Sequence, residues 1–105
     1  MIDSSKEMVL LTRLQNWLQS ECNGDWEHGY GFRLETLDNP GWTFEADLAE
    51  TQWSEIVIAR QIVERTESDW LQHEIADGKY IACGGVFNLT EMLQNFFDVL
   101  DEFRA

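Results

Sequence analysis

Positive charge is scarce in this chain. Seven lysines and arginines stand against twenty aspartates and glutamates over 105 residues, a formal net charge of −13. Nucleic acid is held through Lys and Arg that displace counterions from phosphates, so a field of this sign repels it, and an anionic membrane surface is disfavoured for the same reason. Cysteine is nearly absent too: Cys22 and Cys83 lie far apart and outside any Cys-x-x-Cys pairing. Both read as reduced, buried small hydrophobes of a cytoplasmic protein. No apolar run approaches the ~20 residues that cross a bilayer. The polar, acidic start from Met1 to Glu7 offers neither the basic region nor the apolar stretch of a signal peptide.

What remains is an ordinary globular balance, with 44% hydrophobic residues, five tryptophans and six phenylalanines. Each aromatic buries about 150–250 Å², and a chain of this length buries roughly two-thirds of its extended surface. One domain over residues 1–105 is therefore expected, with no metal or disulfide needed to hold it. The acidic surplus has a bland explanation in solubility, but it also speeds encounter with a basic partner.

Helical spacing comes first. Ser4 and Ser5 offer caps, Glu7 completes a capping box with Ser4, and Leu10, Leu14, Trp17 and Leu18 repeat with Leu11 beside them. Asn23-Gly24 stops this helix near Cys22, and Asp25 to Gly29 reads as a loop. Alternation follows from Tyr30 to Leu37 and from Trp42 to Leu48, joined by the turn Asp38-Asn39-Pro40-Gly41. Between Trp53 and Arg65 the β-branched Ile56, Val57, Ile58, Ile62 and Val63 favour a strand, although Ile58, Ile62 and Arg65 also suit a short helix. Two more strands flank Asp77-Gly78, a favoured hairpin turn, and Gly84-Gly85 ends the second. Asn88 then caps a last helix, Glu91 completes its box, and Leu89, Met92, Leu93, Phe96, Phe97, Leu100 and Phe103 form its stripe. The fold class is α+β: an N-terminal helix, about five antiparallel strands and a C-terminal helix, with the helices on one face of the sheet.

Several groups invite a functional reading. Asp25-Trp26-Glu27-His28 gathers two carboxylates, an imidazole and an indole, so a small hydrolase or nucleotide-handling enzyme would draw on Asp25, Glu27 and His28. Yet there is no nucleophile elbow, phosphate-cradling glycine loop or His-Glu-x-x-His, and the expectation is that the chain is not an enzyme. His28, His73, Cys22 and Cys83 stand singly instead of in the close pairs of a structural zinc site, so neither metal nor cofactor is expected. Arg33, Glu35, Thr43, Glu45 and Asp47 alternate with apolar residues and should project from the open face of the sheet. A charged rim around an aromatic anchor is how protein interfaces are built. The expected partner-binding residues are accordingly Asp25, Trp26, Glu27, Glu35, Glu45 and Asp47, with Trp53 as a second anchor.

The residues carry a family likeness as well. Trp17, then Asp25-Trp26-Glu27-His28 and Tyr30-Gly31, then Glu35-Thr36-Leu37-Asp38-Asn39-Pro40-Gly41-Trp42 resemble the immunity protein 53 family of bacterial polymorphic toxin systems. Asp69-Trp70-Leu71 and Gly84-Gly85 ahead of the last helix fit the same pattern, so the resemblance runs from about Leu14 to Leu100. It implies an α+β protein that binds a cognate toxin and blocks it. A basic, nucleic-acid-cutting toxin is the natural match to the charge. The small hydrolase or nucleotide-handling enzyme is the alternative from another class, and a regulatory binding module with no toxin is a third.

Overall fold

A computed structural model describes residues 4–105, and side chains from residue 9 onward. The chain divides into two compact units, residues 1–31 and 32–105.

In the first unit, α1 runs over Ser4–Glu21. Leu10, Leu14 and Trp17 are its buried stripe, while Leu11 and Leu18, expected beside them, stay exposed at its margin. The side chains of the Ser4–Glu7 capping box lie outside the described ones. The helix stops where expected: Cys22 N–H reaches back to Leu18 and Gln19 carbonyls, and Gly24 takes a positive φ of 95°. Asp25 to Gly29, anticipated as loop, contains a single helical turn, α2, over Trp26–Gly29. The turn is written in side chains. Asn23 Oδ1 accepts the N–H groups of Asp25 and Trp26, both at 2.9 Å, a cap that periodicity does not reveal because it supports only one turn.

In the second unit, five strands form one antiparallel sheet in the order β1-β2-β5-β4-β3. They are β1 (Phe32–Leu37), β2 (Gly41–Asp47), β3 (Ile58–Glu64), β4 (Trp70–Ala76) and β5 (Lys79–Gly84). The strand reading thus wins over the helical one from Ile58 to Glu64, while Trp53 to Val57, expected in the same strand, form turn and coil ahead of it. Asp77 (φ 54°) and Gly78 (φ 74°) both adopt the left-handed conformation that closes a two-residue hairpin between β4 and β5. The first hairpin and the last strand meet at Gly41, where a Cβ would collide with the Gly84 carbonyl oxygen. Only glycine fits there. The same holds at Gly85, whose Cβ would lie 2.6 Å from the Ser68 carbonyl oxygen and 2.8 Å from Asn88 Oδ1.

One face of this sheet carries Phe44, Ala46, Tyr80, Ala82, Leu71 and Ile75, all buried. Helix α3 (Leu89–Glu102) packs there through Phe96, whose ring centroid lies 5.1 Å from that of Phe44 and 5.0 Å from that of Tyr80. Its buried stripe is Met92, Leu93, Phe96, Phe97, Val99 and Leu100; Phe103 falls past the helix end and is exposed. Trp42, an alternating β2 residue, is only half-buried, and its indole N–H donates to the Val86 carbonyl at 2.9 Å. The segment between β2 and β3 brings Trp53 to the far end of α3, where the indole N–H donates to the Leu100 carbonyl at 3.0 Å.

Candidate partner-binding surface

The expected contact residues separate into two groups. Asp25, Trp26 and Glu27 belong to the first unit, whereas Glu35, Glu45 and Asp47 share the open face of the sheet in the second. The two groups are made for different ends.

In the first group, Trp26 is 2% exposed, edge-on to Trp17 with centroids 5.8 Å apart and tilted against Tyr30. It fills a core and offers no ring to a partner in this conformation. Trp53 is equally buried, so both expected anchors serve the fold. Glu27 is exposed, but its two oxygens accept the backbone N–H groups of Asn23 and Gly24, each at 2.9 Å. Backbone N–H groups, its own first and then those of Asn23 and Gly24, hold this carboxyl below the usual range. A general base poised near neutrality needs the opposite shift. Asn23 and Glu27 therefore cap one another's turn, and the Asp-Trp-Glu-His motif reads as structure at Trp26 and Glu27. Asp25 and His28 stay exposed.

In the second group, the strand alternation works as expected. Arg33 lies opposite Glu45 in the β1–β2 register and Asp47 opposite Lys79 in the β2–β5 register. The carboxylates meet cations here: Arg33 reaches Glu45 at 3.4 Å and Glu35 at 3.9 Å, and Lys79 reaches Glu45 at 3.9 Å. Further along the same face Arg60 binds Glu74 at 2.9 Å. This face is mixed in sign, not uniformly acidic.

The end of the sheet at the β3–β4 turn escaped the sequence reading. There Arg65 binds Asp69 at 2.9 Å and grips Glu91 with both terminal nitrogens, at 3.0 and 2.6 Å. Asn88, 5% exposed, joins the knot. It was expected to cap α3, but its side chain makes no cap bond; Oδ1 accepts Trp70 N–H and Nδ2 donates to Asp69 and Glu91. The tertiary partners outcompete the helix's own N–H groups. Glu91 is held below its usual pKa range by Arg65 first, and Asp69 by Asn88 and then Arg65. Beside the knot opens a groove of about 570 Å³ lined by Asn39, Glu64, Arg65, Thr66, Glu67, Trp70 and Gln72. Glu64 and Glu67 make no ion pair among the described residues. The available signal was register: once β3 is a strand, Ile62 and Glu64 stand on the face of Gln72 and Trp70.

Nothing among the described residues assembles a metal-binding group of His, Cys, Asp or Glu. His73 Nδ1 lies 2.9 Å from the Tyr80 hydroxyl, and partial burial pushes its pKa down. Burial also pushes the Cys83 thiol up, against the pull of Arg60, which makes it a poor nucleophile.

No curated protein and no solved structure matches this chain. The sequence profile described as immunity protein 53 matches residues 11–101, which spans most of α1, the whole sheet and nearly all of α3. The chain belongs to the immunity protein 53 family.

Proposed function

We propose that this chain neutralises a cognate toxin by binding it in a stoichiometric complex, acting as a plug and not as a catalyst. The supporting observation is how its charge is distributed. Residues 32–105 hold fifteen acidic and five basic side chains. All five cations, Arg33, Arg60, Arg65, Lys79 and Arg104, are already engaged by carboxylates. The outward field is left to the remaining acids, so a partner drawn to it is cationic. A basic toxin, such as one that itself handles nucleic acid, fits that requirement. Electrostatic steering raises association toward ~10⁸–10⁹ M⁻¹s⁻¹ at low salt. Glu64 and Glu67, which pair with no cation among the described residues, contribute to that field. Of the acids expected in the rim (Glu27, Glu35, Glu45 and Asp47), Glu35 and Glu45 share their charge with Arg33 and Lys79, and Glu27 is held by backbone N–H groups. No helix among the described residues is long and apolar enough to cross a membrane, and we place the antidote in the cytoplasm, where it meets the toxin before export.

The test is co-expression with the toxin encoded beside it. Protection of the cells and a one-to-one complex on size exclusion are expected, with an association rate that falls as salt is raised. Unrelieved toxicity with no complex would overturn the proposal. Alanine at Asp25, Glu27 and His28 together addresses the hydrolase alternative: protection should persist in a folded triple variant.

A further inference from the structure

The two outer strands of the sheet each leave one rank of backbone N–H and C=O groups without a strand partner, and β3 leaves it beside apolar side chains. Every residue from Ala59 to Glu64 is exposed. Val57 is 77% exposed, Ile62 57% and Val63 40%. Natural sheets blunt their edges with charge, proline or irregularity because an open apolar edge templates pairing with another chain. Here an irregularity lies between Ile58 and Gln61, while from Gln61 to Glu64 the register with β4 is regular. That regular stretch ends at the groove lined by Glu64, Glu67, Trp70 and Gln72. Ile62 and Glu64, opposite Gln72 and Trp70, share the groove's face, and Val63, opposite Leu71, lies on the other.

We propose that β3 is the docking edge for the toxin: an extended, cationic toxin segment adds to the sheet beside Gln61–Glu64 and sets a Lys or Arg side chain in the groove. This rests on the toxin-binding reading above. Strand addition takes affinity from main-chain hydrogen bonds and selectivity from pockets that receive alternate side chains. The edge supplies the first. The groove supplies the second, with carboxylates of Glu64 and Glu67 for the charge and the half-buried Trp70 indole for the flat face of a guanidinium. Arg65 does not repel such a guest, because its guanidinium is committed to Glu91 and Asp69. A second copy of this chain is a poor occupant. It would bring another −13 of charge and set Glu64 and Glu67 against their like.

Aspartate at the exposed apolar positions separates edge from charge. Ile62→Asp with Val63→Asp removes the apolar edge yet makes the protein more acidic, so steering alone would leave toxin association as fast or faster. The edge proposal expects dissociation of the toxin to quicken by about tenfold or more, with the circular dichroism of the free variant unchanged. Glu64→Gln with Glu67→Gln should weaken binding several-fold and flatten its salt dependence. In the wild-type complex, β3 amides should gain protection from hydrogen exchange. If wild type binds the toxin and the aspartate variant binds equally well with β3 amides unprotected, the edge proposal is wrong and the antidote reading stands. If wild type fails to bind, both fall. If sedimentation shows a wild-type dimer that the aspartate pair dissolves, the edge serves a second copy instead and the proposal is overturned.

Discussion

The outer strands β1 and β3 occupy equivalent places in one sheet and are finished in opposite ways. Both are largely exposed, with burial confined to the ends of β1 and to the first residue of β3. On β1 the exposed side chains alternate, with Arg33 tied to Glu45 across the hairpin and to Glu35 along the strand, and Leu34 as the single apolar one between them. On β3 Arg60 is tied to Glu74 at the irregular end, but the regular stretch sets Ile62 and Val63 side by side in solvent, with Val57 exposed just before the strand. Ion-paired charge on an edge keeps a strand solvated and unattractive to other strands. Apolar β-branched residues do the reverse, and an area of that kind on an otherwise very acidic protein is the sort of patch that marks an interface. The difference teaches that exposure by itself says little: one edge is closed by chemistry and the other is open.

The largest break in that comparison should come from Asn88. Its side chain ties the β3–β4 turn to the start of α3 through Trp70 N–H, Asp69 and Glu91. Asn88→Ala leaves the part-buried Trp70 N–H without its partner, while Asp69 and Glu91 keep Arg65, a loss of about 1–3 kcal/mol. Denaturant unfolding should register it as a lower midpoint. Hydrogen exchange should locate it, with amides of β3 and β4 loosened well before those of β1 and β2. Uniform loosening of the whole sheet would show that the turn is not separately held.

A smaller effect sits at His73, which faces Gln61 of β3 across the register and contacts the Tyr80 hydroxyl. Partial burial lowers its pKa, so the folded state binds this proton less readily than the unfolded chain. The contribution is complete above the unfolded value of about 6.5 and declines as pH falls below it. With the ring only partly buried, solvent keeps the loss below ~1 kcal/mol. Stability measured from pH ~7 to ~5 should fall in wild type and flatten in His73→Gln, which keeps a hydrogen-bonding group toward Tyr80. An identical slope in both proteins would assign the effect to other groups.

Much of this architecture was legible from residue patterns, and the exceptions have physical causes. Period-two alternation located β2, the Asp77-Gly78 pair located its hairpin, and the apolar stripe from Met92 to Leu100 located α3, because each signal is local and repeated. Asn23–Glu27 and Asn88–Trp70 were missed for the opposite reason. Both are single side chains satisfying backbone groups, and periodicity carries no trace of them; the second also joins residues eighteen positions apart. Trp26 and Trp53 illustrate a third case. Sequence says that a tryptophan is valuable, but whether it anchors a partner or a core is settled by packing, and here it is the core. The candidate surface was legible on β1 and β2, where alternation sorts Glu35 and Glu45 outward. It was illegible on β3, where an apolar residue on an exposed edge looks the same as one on a buried strand.

The smallest expected effect is on the closed edge. Arg33 is exposed, as is Glu35, and its contacts at 3.4 and 3.9 Å are those of a solvated pair. Such pairs contribute about 0–1 kcal/mol, and Lys79 remains near Glu45 when the arginine is removed. Arg33→Ala should therefore lower stability by less than ~0.5 kcal/mol, near the resolution of a denaturation curve. Its informative consequence is elsewhere. With the arginine gone, β1 and β2 present Glu35 and Glu45 with less compensation, so a cationic partner that meets this face would be held more tightly, most visibly at low salt. A partner that docks on β3 would gain only the long-range part, a modest rise in association rate with dissociation unchanged. Stopped-flow binding of the toxin to Arg33→Ala thus distinguishes the edges: slower dissociation would move the contact surface to β1 and β2, and a pure association effect would leave it on β3.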